Sequence, residues 1–116
     1  MRRAVHPHRR RRGAALAVLA FAVAAPPALA ADAAAGRAKA QACQVCHGPL
    51  GMSVAPDAPN LAGQPAAYLA AQLRAYQSGK REHEVMSLMA KPLSAAEIDN
   101  LAAWFSSITV EARPPK

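Results

Sequence analysis

Cys43-Gln44-Val45-Cys46-His47 is the stretch on which the fold of this chain turns. Two cysteines three positions apart, with histidine directly after the second, form the C-x-x-C-H pattern of covalent haem attachment. Chemistry dictates that order. Each thiol adds across one vinyl group of the porphyrin, giving two thioethers that hold the ring edge against the backbone. The imidazole that follows then lies beneath the iron as proximal ligand. Cys43 and Cys46 are the two cysteines of the chain, so no third thiol competes for either.

Other uses of this spacing are weaker fits. A dithiol redox pair accompanies a βαβ pattern, which the sequence lacks. A zinc site needs more ligands, and outside the arginine-rich start the histidines are His47 and His83. A structural disulfide is compatible with an exported chain.

Export is itself an expectation from the first thirty residues. Of fourteen Lys and Arg in 116 residues, six lie at Arg2, Arg3 and Arg9 to Arg12. An apolar stretch from Gly13 to Ala25 follows, then Pro26-Pro27 and Ala28-Leu29-Ala30. Basic start, apolar middle and small-residue end predict a secretory signal peptide over residues 1–30, cleaved after about Ala30, and a single domain over residues 31–116. The apolar stretch falls short of the about 20 residues that a spanning helix needs, so the mature protein is expected not to span the membrane. From residue 31 onward Lys and Arg number eight and Asp and Glu seven, so the +7 of the full chain shrinks to 8 − 7 = +1. With no basic stripe left, nucleic acid is excluded as a partner.

The mature segment is short and rich in alanine, with Tyr68, Tyr76, Trp104 and Phe105 as its aromatics. So small a chain buries little surface and needs a staple. A covalent haem would serve as staple and core together. Asp32 to Ala42 reads as a helix capped by Asp32, with Gly36 either tolerated or marking close approach of another helix. Gly48 to Gln64, broken by Pro49, Gly51, Pro56, Pro59 and Gly63, reads as loop. Pro65 to about Gln77 reads as a second helix, proline first and Gly79 just past its end. Its Tyr68, Leu69, Leu73 and Tyr76 recur at helical spacing and form the apolar face toward core and haem. Gly79 to Leu93 reads as a second loop. Ser94-Ala95-Ala96-Glu97 is a capping box opening a third helix through about Ile108. The predicted fold class is therefore all-α.

A haem with one histidine needs a second axial ligand or keeps an open position. Met52 follows His47 too closely to reach the far face. His83 stands among Lys80, Arg81, Glu82 and Glu84 and reads as a solvated residue. Met86 and Met89 sit in the one long loop well separated from His47. Methionine there would ordinarily fill core, and the need for a ligand sets that against ligation.

Several segments in this order resemble the class I c-type cytochromes, specifically small bacterial single-haem forms and one half of tandem two-haem forms. They are Cys43 to His47, Pro59-Asn60-Leu61-Ala62-Gly63-Gln64, Tyr68-Leu69-Ala70-Ala71-Gln72-Leu73, and Met86 through Leu93-Ser94 to Trp104-Phe105. The resemblance covers nearly all of residues 32–107. It implies a cytochrome c fold, three main helices with loops wrapped around one covalent haem c. It makes His47 and Met86 the axial ligands, with Met89 as the alternative to Met86. It implies that the Pro59 carbonyl accepts from His47 Nδ1, that Tyr68 and Leu73 line the pocket, and that Arg81 faces a haem propionate or, failing that, solvent. Gly36 and Trp104 match the contact between first and last helices.

The function so implied is a periplasmic electron carrier rather than an enzyme, with redox proteins of the respiratory chain as donors and acceptors and no small-molecule substrate. The alternative is a cytochrome subunit held permanently by a dehydrogenase, reductase or terminal oxidase. A haem enzyme or gas sensor would need an open sixth position.

Overall fold

A computed structural model describes residues 30–116. The expected leader over residues 1–30 lies, but for its last residue, outside the described residues. Asp32 opens the first helix, α1 (Ala33–Lys39): its carboxylate accepts from the backbone N–H of Ala34 at 2.8 Å and of Ala35 at 3.1 Å. Two donors that a helix start leaves unpaired are thereby satisfied.

The helix expected to run on to Ala42 tightens instead after Lys39. Ala40–Cys43 forms a 3-10 turn, followed by the short helix α2 (Gln44–His47). Alanine enters either helical form without penalty, so the sequence carries no mark of the change. Gly48 (φ 76°) ends α2.

Residues 48–64 form a loop, as their prolines and glycines require. Gly51 is its pivot. Its carbonyl accepts from Leu61 N at 2.7 Å and Ala62 N at 3.1 Å, which folds the loop back on itself. At φ 74°, with a Cβ 2.8 Å from Phe105 Cδ1, any side chain there would be strained and crowded.

Helix α3 (Ala66–Ser78) begins one residue later than expected. Pro65 stands just outside in an extended conformation (ψ 131°), and Gly79 closes the far end in the left-handed region. The stretch expected as a second loop contains a helix, α4 (Glu84–Ala90), set between short turns. Its cap is His83, a residue seldom counted as a helix start signal, and seven residues are too few for periodicity to declare itself. Helix α5 (Ala95–Ser106) opens on the full capping box: Ser94 Oγ accepts from Glu97 N at 3.1 Å, and Glu97 Oε2 accepts from Ser94 N at 2.9 Å.

The described residues are helical, with no strand among them. Helix α5 is the hub, packing against α1 on one side and α3 on another, while α3 also meets α4. Helices α1 and α5 cross at Gly36. A Cβ there would overlap the Asn100 carbonyl and stand 2.9 Å from Trp104 Cβ, so the helices meet backbone to backbone. Asp32 N donates to Asn100 Oδ1 at 2.7 Å at the same crossing. The buried core is Ala40, Leu69, Ala70, Ile98, Leu101, Ala102 and Phe105. Three of these seven are alanines, so the protein part of the core is thin and leaves space on one side.

Candidate haem site

That space is a cavity of about 500 Å³, within the range of cofactor sites. The 3-10 turn and α2 place Cys43, Cys46 and His47 in its wall. Both thiols are free, Cys43 half-buried and Cys46 exposed. Burial pushes the Cys43 thiol up from its ordinary value, against the opposing pull of the Lys39 charge.

His47 is 6% exposed, the one buried polar side chain among the described residues. Its Nδ1 lies 2.8 Å from the Pro59 carbonyl oxygen. A carbonyl only accepts, so Nδ1 carries a proton, which leaves Nε2 as the nitrogen that would face a metal. An imidazole anchored in this way is oriented and made more basic.

Pro59, Tyr68, Leu73 and Arg81 line the same cavity, as do Met86 and Met89 from α4. Met52, 46% exposed, does not. Met86 is half-buried, whereas Met89 is 40% exposed. Arg81 is exposed but held by intramolecular contacts: it donates to Gln72 Oε1 at 2.6 Å and stands 4.7 Å over the Tyr76 ring. Gln72 was legible only indirectly, being one helical turn from both Tyr68 and Tyr76 and so on their face.

His83 is not simply a solvated residue. Though exposed, it accepts at Nδ1 from Val85 N at 3.2 Å and Met86 N at 3.3 Å. Gln77 is a second contributor that sequence reasoning missed. Its side-chain amide donates to the carbonyls of Leu93 at 2.7 Å and Ala90 at 3.3 Å, tying α3 to the end of α4.

The donor set fits a covalent haem: two thiols from one short segment, an imidazole anchored through Nδ1, and largely apolar walls. Two thioether sulfurs come to the same cavity from a different element. This defines a class, the c-type cytochromes, and the comparisons agree with it. The cytochrome c family matches residues 33–109. The thiosulfate dehydrogenase electron acceptor of Thiomonas intermedia (strain K12) is 47% identical over 77 residues, 66% of this chain and 36% of that protein. Cytochrome c-554(548) of Halomonas halodenitrificans is 44% identical over 79 residues, 66% of this chain and 95% of that protein. Among solved structures, reduced cytochrome c4 from Pseudomonas stutzeri superimposes with a TM-score of 0.65 at 39% identity, over 69% of this chain and 47% of that one. The chain thus spans about a third to a half of the longer relatives and nearly the whole of the short one.

This chain belongs to the cytochrome c family. Its described domain is an electron-transfer unit whose cofactor is haem c.

Proposed function

We propose that the protein is a periplasmic carrier of single electrons, with haem c bound through Cys43 and Cys46 and with His47 and Met86 as axial ligands. When bound, the haem supplies a one-electron Fe(II)/Fe(III) couple, whose potential a thioether ligand and burial raise. The observation that carries the proposal is the meeting of both thiols, the anchored His47 and the α4 methionines around one largely apolar cavity. With His47 and Met86 both holding the iron, no position on it would be left for a substrate. Met86 is preferred to Met89 because it is the more enclosed and its backbone is held by His83.

Electrons would pass at the attachment edge. Cys46 is exposed there, and Val45 between the thiols is 82% exposed, giving a partner an apolar foothold. Contacts of this kind suit weak, transient encounters. The relative that accepts electrons from thiosulfate dehydrogenase suggests a periplasmic dehydrogenase as donor. The expected leader supports export. Among the described residues no helix is long and apolar enough to cross a membrane.

The pairing with a dehydrogenase in that relative's name also fits a second reading, a cytochrome subunit held permanently by its enzyme. Purification from the native host separates the two: a carrier elutes alone, a subunit elutes with its enzyme. The carrier proposal itself is tested on native protein. Its haem should resist extraction by acid acetone, and its ferrous form should not bind carbon monoxide. Free extraction or ready binding would each defeat it.

A further inference from the structure

We propose that His83 is a positioning residue for the axial sulfur: its imidazole, by capping α4, holds Met86 at the haem cavity. The inference rests on the reading of Met86 as ligand and goes beyond it.

Helix α4 has seven residues, and helices so short do not persist on their own. Packing ordinarily supplies what propensity lacks, but α4 buries one residue, Ala90, against the protein, and Leu88, which does not line the cavity, is 70% exposed. The side-chain hydrogen bonds that fasten the helix lie at its ends.

At the first turn the bonds converge on His83. Its backbone is extended (φ −161°, ψ 134°), as a residue just outside a helix must be. Its Nδ1 accepts from Val85 N and from Met86 N, so one of the two capped amides belongs to the methionine itself. Ser87 returns the contact, its Oγ accepting from His83 N at 3.1 Å while its N–H donates to the His83 carbonyl at 3.0 Å. The far end is fastened by the Gln77 amide on Ala90 and Leu93. Met86 thus sits in a turn fixed by side-chain caps. Freed of its cap, that turn would fray, and the sulfur would leave the iron more often.

Loss of a cap of this kind shifts such an equilibrium by about fivefold. The test compares purified holoprotein of wild type, His83→Ala, His83→Asn and Asp32→Ala. Asp32→Ala removes an equivalent cap from α1, which carries no axial ligand. Each ferric protein is examined for the far-red sulfur-to-iron band, and each ferrous protein is mixed with carbon monoxide. His83→Ala should bind carbon monoxide about fivefold faster than wild type, with His83→Asn near wild type because its carbonyl restores the acceptor. Asp32→Ala should lose stability without gaining reactivity. If His83→Ala reacts like wild type, or if Asp32→Ala accelerates equally, His83 has no positioning role, although methionine ligation stands. A wild-type protein without the far-red band would remove the ligand reading on which the inference rests.

Discussion

The imidazole of His47 and the carbonyl of Pro59 are joined by a 2.8 Å hydrogen bond that spans the loop between α2 and α3. It couples the histidine's orientation and basicity to a loop twelve residues away. The loop is held in turn by Gly51, whose carbonyl gathers Leu61 N and Ala62 N beside Phe105 of α5.

Pro59→Ala keeps the carbonyl but frees the backbone that aims it. Stability should fall by about 0.4–1 kcal/mol from the greater freedom of the unfolded chain. A slacker hydrogen bond leaves His47 less electron-donating, which favours Fe(II). The reduction potential should therefore rise, as measured by redox titration. A lowered potential would mean that Pro59 does not tune the histidine.

Gly36→Ala sets two effects of opposite sign against each other. Helix propensity favours alanine by about 0.5–1 kcal/mol. The new Cβ, however, meets the Asn100 backbone and Trp104 Cβ, and overpacking of this kind costs about 1–3 kcal/mol. The clash is with backbone, which cannot swing away, so denaturant unfolding should show net destabilisation. A stabilised variant would mean that α1 and α5 do not cross so closely in solution.

Glu97 ties acid stability to the start of α5. Its hydrogen bonds, first from Lys39 and then from the Ser94 backbone, hold the carboxyl below its ordinary value of 4.5. A folded value below the unfolded one stabilises the protein above the unfolded value. That contribution fades as pH falls from about 4.5 through the depressed value. The exposed position and the surface Lys39 pair at 2.7 Å keep the effect small and salt-sensitive. Glu97→Gln should flatten this part of the stability–pH profile. An unchanged acid slope would show that the carboxylate contributes nothing there.

What the sequence disclosed divides along physical lines. The attachment segment was legible because covalent chemistry fixes residue order, and the Ser94–Glu97 box because two side chains must each reach a particular backbone group. Gly36 was legible as a close approach only through the resemblance, since the helix pattern alone allowed plain tolerance as well. Helix α4 stayed hidden because its start signal is a histidine and its length is two turns. The break after Lys39 stayed hidden because alanine suits both helical forms. The partners of Arg81 and Gln77 are long-range hydrogen bonds between flexible side chains and other elements, and spacing along the chain says nothing of them.

Ligation by Met86 is tested most directly by the far-red sulfur-to-iron band of the ferric protein, recorded for wild type, Met86→Ala and Met89→Ala. The wild type should show the band. Met86→Ala should lose it, with a lowered reduction potential and a ferrous iron open to carbon monoxide. Met89→Ala, which removes a side chain already 40% exposed, should keep the band and lose at most about 2–3 kcal/mol of stability. Loss of the band in Met89→Ala with retention in Met86→Ala would make Met89 the ligand. Retention in both would place the sixth ligand elsewhere and contradict a His47/Met86 carrier.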